Sequence, residues 1–165
     1  MELNYIKLNP EHIEAVLNVI NQGPYFKLLS MEVCELRLGY CKVEINLDTK
    51  HLNPFGGFHG GVYASAIDTA AYWAVYCALE EDIGLISIDL KVDNLAPIKD
   101  GKLIIEGKQI KAGRSICLSE ATVRDTKGKL LAHGTSKLLV TQGLQSINQA
   151  VKAMGRQSLP QKFLI

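Results

Sequence analysis

At 165 residues with 47% apolar content, the chain is long enough to bury one sizeable core. Charged residues make up 21% and the formal net charge is +1, which leaves no broad basic face for nucleic acid. Cys34, Cys41, Cys77 and Cys117 stand far apart with no CxxC pair, which argues against a structural metal site and a disulfide framework and predicts reduced thiols in the cytoplasm.

The opening MELNYIKLNPEH lacks the apolar core of a signal peptide. Asn9 and Pro10 predict a helix start, with Ile13, Val16, Leu17 and Ile20 at helical spacing across residues 10–21. Gly23-Pro24 ends it. Strands are predicted over 30–38 and 40–47. In the second, Cys41, Val43, Ile45 and Leu47 alternate with Lys42, Glu44 and Asn46, the period of a half-wet strand.

A glycine-rich segment, HLNPFGGFHGG, then opens an apolar helix running to about Leu79. That helix carries Asp68 and several hydroxyls, so a buried soluble helix is predicted rather than a membrane span. Residues 85–95 alternate next, with Ile86, Ile88, Leu90 and Val92 on one side and Ser87, Asp89, Lys91 and Asp93 on the other. Strands over 102–111, 114–125 and 129–141 follow through short turns, which predicts an antiparallel meander. The tail beyond Gly143 allows a helix over 144–154. One apolar helix among six strands indicates an α+β domain in which the sheet curls around the helix.

Two features of the helical segment carry chemistry. His59-Gly60-Gly61 sits where the first-turn N–H groups of a helix have no internal partner and the helix dipole is positive. Such an end stabilises an oxyanion, and it equally makes a tight strand-to-helix turn. Asp68 interrupts the apolar run, and burying an unpartnered carboxylate costs several kcal/mol or more, on the order expected for an isolated charge. Gly60 and Asp68 lie eight residues apart, or about 12 Å along a helix at 1.5 Å per residue. A reacting carbon must lie about 3 Å from both the attacking group and the oxyanion donor, so one chain does not easily supply both. Two antiparallel copies of the helix do, which points to a site shared across a two-fold homodimer.

The run NPFGGFHGGVYASAID (53–68) resembles the Asn-x-x-Gly-x-x-His-Gly-Gly…Asp signature of hotdog-fold acyl-CoA thioesterases, in their phenylacetic-acid-degradation (PaaI-like) branch. The similarity continues through GLISIDLKVDNLAPIKDG (84–101) and GKLLAHGTSK (128–137), and it spans roughly residues 33–141. It implies a hotdog fold, a long central helix wrapped by a curved antiparallel sheet. The domain would occupy residues 1–165, with an N-terminal helix at 10–21, a core at about 30–141 and an extension at 143–165. Pairs of such units join into a double sheet, often assembled further into tetramers.

The resemblance also implies roles. The Gly60 amide polarises the thioester carbonyl, and Asp68 of the partner chain is nucleophile or general base. Asn53 and His59 hold carbonyl or water, and Ser87 orients the attacking water. Each has a structural alternative: Asn53 shaping a turn, His59 bonding loop backbone, Ser87 lying on the wet side of its strand. His51 and His133 match nothing catalytic, and Tyr63, Tyr72 and Trp73 suit a core or an acyl-pocket lining.

Coenzyme A brings phosphates as part of the substrate. Gly61, Arg114, Lys91, Lys111 and Lys137 are the candidates near it, with Arg114 able to bind phosphate bidentately. No metal and no separate cofactor are expected, nor any nucleic-acid or membrane partner. Two other functions compete: a hotdog hydratase or dehydratase acting on enoyl or hydroxyacyl thioesters, and a non-catalytic acyl-CoA-binding module. Retention of Asp68 after His-Gly-Gly favours hydrolysis.

Overall fold

The computed structural model describes residues 7–156 and 158–164. A short strand β1 (Lys7–Leu8) leads into α1 (Pro10–Ile20), which Asn9 caps by accepting from the Glu11 N–H. The five-residue α2 (Pro24–Leu28) follows, started by Pro24 at a position where the missing N–H costs nothing. Next come β2 (Met31–Arg37), β3 (Tyr40–Asn46), a 3-10 turn (Thr49–His51) and the central α3 (Gly60–Tyr76). The remaining elements are β4 (Ile83–Asn94), β5 (Lys102–Ala112), β6 (Ile116–Arg124), β7 (Leu130–Gln142), α4 (Ile147–Ala153) and β8 (Phe163–Leu164).

Six strands form one antiparallel sheet in the order β2-β3-β5-β6-β7-β4. The predicted meander of the last four strands therefore needs correction. β4 pairs with β7 at the sheet's edge, and the chain crosses back over residues 95–101 to place β5 beside β3. The sheet packs around α3, matching the expected hotdog architecture.

Close approach of helix and sheet follows from small residues. Ala66, Ala70, Ala71 and Ala74 are fully buried on α3. A β-carbon on Gly107 of β5 would lie 2.1 Å from the Ala70 carbonyl oxygen, so only glycine fits beneath the helix there. Ser119 of β6 donates its hydroxyl to the Ala71 carbonyl at 2.7 Å. Ile67, Leu103, Ile105 and Leu131 fill the space around this contact, each worth roughly 1.5–3 kcal/mol on burial.

The C-terminal segment straps this end of the molecule. β8 pairs with β1, and the Asn9 N–H donates to the Lys162 carbonyl. Lys162 is 2% exposed, and its ammonium donates to the Tyr76 and Leu79 carbonyls at 2.6 and 2.7 Å. It thereby gives the Leu79 carbonyl a donor and the Tyr76 carbonyl a second one beside the Leu79 N–H, 3.9 Å above the Tyr76 ring. Burial pulls the Lys162 pKa down to about 8. His12 joins the same cluster. Its Nε2 lies 2.6 Å from the Tyr76 hydroxyl and its Nδ1 2.7 Å from the Pro160 carbonyl, which fixes Nδ1 as the donor of a neutral ring.

Candidate active site

The entry to α3 is built by a self-bonded loop. His51 is buried. Its Nδ1 accepts from the Asp48 N–H at 2.9 Å, and its Nε2–H donates to the Leu29 carbonyl at 2.8 Å. Its own carbonyl accepts from the His59 N–H, tying the two ends of the loop together. Asn53 organises the tip: its Oδ1 accepts from the N–H groups of Phe55 and Gly57 at 2.9 and 3.1 Å. The Asn53 side-chain N–H groups make no hydrogen bond among the described residues, so Asn53 shapes the turn and keeps a free donor.

His59 is the N-cap of α3, with Nδ1 accepting from the Gly61 N–H at 2.8 Å. Nδ1 is thus an acceptor, and the proton of the neutral ring sits on the exposed Nε2. The Gly61 N–H is consumed by this cap. The Gly60 N–H makes no hydrogen bond among the described residues and is the free donor of the helix start. Asn94, at the end of β4, stands directly over Gly60: a β-carbon there would lie 2.8 Å from Asn94 Nδ2. Sequence reasoning did not single out Asn94, because its inward side depends on an irregularity in β4.

That irregularity is a β-bulge between Ser87 and Asp89, the point where pairing with β7 shifts register. On β7 the helix-facing residues are Leu138 and Ser136, both buried, and Gly134, where a β-carbon would strike Ile67 of α3. Their partners on β4 are Ser87, Leu90 and Val92. The bulge moves the strand by one residue, so Ser87 faces the helix together with Leu90, Val92 and Asn94, and Ile88 is 53% exposed. The uninterrupted alternation expected over 85–95 is corrected accordingly, while Ser87 is exposed to solvent as well as turned toward the helix.

Ser87 donates its hydroxyl to Asp68 Oδ1 at 2.9 Å. Asp68 is not enclosed in the core, as the apolar run suggested; it is half-buried. Ala64, Ser65, Asp68, Thr69, Tyr72 and Trp73 form one partly open face of α3, at the i, i+1, i+4, i+5 spacing of a single helical stripe. A cleft of about 380 Å³ runs along this face, closed on its sides by Leu90 and by Tyr25 and Phe26 of α2. The Tyr25 hydroxyl lies 2.7 Å from Ser65 Oγ. A five-residue helix is too short to show periodicity, which is why α2 did not emerge from the sequence.

The structure thus places His59 and Gly60 at the start of α3, Asn53 at the tip of the loop that precedes it, and Asp68 with Ser87 two turns further on. Eight residues of helix, about 12 Å, separate Gly60 from Asp68. The cationic residues lie elsewhere. Lys91 and Lys137 point from the outer sheet face, paired with Asp93 at 3.3 Å and Asp89 at 2.8 Å. Lys111 and Arg114 are exposed near the β5–β6 turn. Arg114 borders a cleft with Leu79 and Val140, beside the C-terminal end of α3. None of the four reaches Asp68 within one chain. Among the described residues, no three His, Cys, Asp or Glu side chains cluster with metal-binding geometry. No helix among them is long and apolar enough to cross a membrane.

Chemically, a carboxylate with a hydroxyl donor in an open cleft, and a free helix-start N–H flanked by side-chain donors, suit attack on a carbonyl and support of the resulting oxyanion. The chain's relatives carry names that fit such chemistry. A Saccharolobus solfataricus protein named as an esterase is 31% identical over 119 residues, which cover 72% of this chain and 84% of the relative. Acyl-coenzyme A thioesterase 13 of Mus musculus is 28% identical, covering 75% of this chain and 91% of that protein. The crystal structure of a thioesterase from Haemophilus influenzae superposes with a TM-score of 0.73 over 81% of this chain and 92% of that one; at 24% identity this likeness speaks for the fold. The Thioesterase superfamily model matches residues 55–132, a span holding Gly60, Asp68, Ser87 and Asn94 and ending before α4. The chain belongs to the thioesterase superfamily.

Proposed function

We propose that the chain hydrolyses acyl-coenzyme A thioesters to the free acid and coenzyme A, at a site completed by a second copy of itself. The observation that carries the reading is the Ser87–Asp68 hydrogen bond in the cleft beside α3. It leaves the second carboxylate oxygen of Asp68 free to act, with the Gly60 N–H as the oxyanion donor. Asp68 takes a proton from water while the hydroxyl attacks the thioester carbon; the C–S bond then breaks and the thiolate leaves with a proton. In the alternative, Asp68 attacks directly and water opens the resulting anhydride. Asn53 and His59 hold the carbonyl or water through their free N–H groups. Gly61 fixes the imidazole of His59.

The partner follows from the sheet order. β4 is an edge strand, and among the described residues nothing pairs with its outer side. Two β4 strands meeting antiparallel about a point between Leu90 and Lys91 bring Ser87 of one chain opposite Asn94 of the partner subunit. Ser87 marks the Asp68 end of the helix and Asn94 the Gly60 end. The pairing therefore closes the 12 Å gap that one chain leaves open. It also covers Ile88 and Leu90, 53% and 37% exposed in the single chain. Such pairs can stack into tetramers. Arg114, Lys91, Lys111 and Lys137 are then available to the coenzyme A phosphates at the rims of the assembly. The four free thiols suit a reducing, cytoplasmic setting.

The test is a thiol-release assay over a panel of acyl-coenzyme A substrates, comparing wild type with Asp68→Asn. Turnover by wild type and its loss in a folded variant support the reading. Near-wild-type turnover by Asp68→Asn removes Asp68 from the chemistry. A change in enoyl absorbance without thiol release reassigns the reaction.

A further inference from the structure

A second hollow, of about 380 Å³, adjoins the Asp68 cleft; its aromatic side lies within the superfamily match and its α4 side beyond it. Tyr72 and Trp73 line both spaces, and Tyr72 stands one helical turn beyond Asp68 on the same face of α3. The Tyr72 hydroxyl donates to the Leu85 carbonyl at 3.1 Å. Tyr72, Trp73 and Tyr76 form an edge-to-face series with centroids 5.2 and 5.3 Å apart. This aromatic wall faces α4, which contributes Ile147, Ala150 and Ala153 at i, i+3, i+6 spacing. Among the described residues, no charged side chain lines the hollow.

α4 is held in place at the rim of the hollow, where Gln145, Ser146 and Gln149 add polar groups to its lining. Val151 is 1% exposed, and the preceding Ser146 is 7% exposed. The Gln145 N–H donates to Gln149 Oε1, and Asn148 hydrogen-bonds Asp82. Gly84 of β4 lies so close to the Leu144 carbonyl that a β-carbon there would overlap it. Ala150 and Ala153 are exposed along the open side of the hollow and leave room there by being small.

We propose that α4 forms the far wall of an acyl-group pocket, and that Ala150 and Ala153 set the length of the acyl group the chain accepts. The substrate class is a thioester of an uncharged, apolar acid, straight-chain or aryl, running from Asp68 past Tyr72 and Trp73. The distance available is about 12 Å, the rise from Asp68 to Tyr76. A carboxylated acyl tail is disfavoured, because among the described residues no cationic side chain lines the hollow to pair with it. This inference rests on the thioesterase reading.

The experiment measures kcat/KM for a straight-chain acyl-coenzyme A series, from acetyl upward, with wild type, Ala150→Leu and Ala150→Ser. Filling an apolar pocket by a few carbons changes discrimination by about tenfold or more. Ala150→Leu is expected to lose at least that factor on the longest accepted chains while acetyl turnover stays within about twofold. Ala150→Ser, of nearly unchanged size, keeps the wild-type cutoff. Should Ala150→Leu fail to fold, Ala153→Val carries the same expectation. A uniform loss at all lengths, or an unmoved cutoff in a folded variant, overturns the role of α4 and leaves the thioesterase reading standing. A wild type inert on every thioester overturns both.

Discussion

Gly60→Ala separates a catalytic helix start from a merely structural one. The added methyl group would lie 2.8 Å from Asn94 Nδ2, where ordinary contact begins at 3.4 Å, so Asn94 has to retreat by about 0.6 Å. The atom in the way is the far end of an exposed side chain, and the move costs the fold little. Alanine is also the better helix former, by about 0.8–1.0 kcal/mol in a helix interior. Melting temperature should therefore hold or rise slightly. Activity should not, because the methyl group fills the approach to the free Gly60 N–H. Losing an oxyanion donor costs about 10²–10³ in kcat, or roughly 2.7–4 kcal/mol, and a blocked donor should approach the lower figure. The assay is steady-state thiol release beside a thermal melt of the same sample. A variant that melts like wild type and keeps wild-type kcat would show that the Gly60 N–H takes no part in the reaction.

Ser87→Ala removes the only side-chain donor to Asp68 among the described residues and should lower kcat about tenfold, near 1.4 kcal/mol, with KM little changed. Lys162→Met takes the ammonium donor from the Leu79 carbonyl and one of two donors from the Tyr76 carbonyl; at about 2 kcal/mol this lowers the melting temperature by roughly 4–8 °C. The same pair of proteins carries a pH signature. With its pKa held near 8 against an ordinary 10.5, folded Lys162 binds fewer protons than the unfolded chain between those values, so wild-type stability gains on Lys162→Met as pH rises through that window. Cys77, pushed up to about 11, acts in the opposite sense above pH 9, which makes the comparison at each pH the informative one. His12 behaves differently. Burial lowers its pKa below the usual 6.5, so its contribution is intact above that value and is lost as pH falls beneath it. Melts between pH 7 and 5 should show this loss in wild type and a flatter profile in His12→Gln.

Much of the fold was legible because burial imposes its period on the chain. The alternation of Cys41, Val43 and Ile45 marks β3, and all three are fully buried. The spacing of Gly60 and Asp68 already placed the two halves of the candidate site too far apart for one chain, and α3 keeps them apart. The bulge after Ser87 was not legible: inserting one residue into a ladder leaves no compositional mark, yet it reverses every side chain beyond it and turns Asn94 onto Gly60. The openness of the Asp68 face was hidden for a related reason. An apolar run reads as enclosed, and Ala64, Tyr72 and Trp73 are apolar residues that one chain leaves partly uncovered. The surface lysines could not be placed from sequence, since ion pairs such as Lys137 with Asp89 depend on which strands lie side by side.

The measurement that bears most directly on a shared site is subunit complementation. Gly60→Ala and Asp68→Asn, each inactive alone, are mixed in equal amounts, dissociated and reassembled. Half of the dimers are then mixed, and each mixed dimer holds one site with both Gly60 and Asp68 intact, so about a quarter of the wild-type rate should return. Recovery to that level is the expected result. Reassembled mixed dimers with no recovered activity would contradict the account, placing the oxyanion donor and the carboxylate of each site within a single chain.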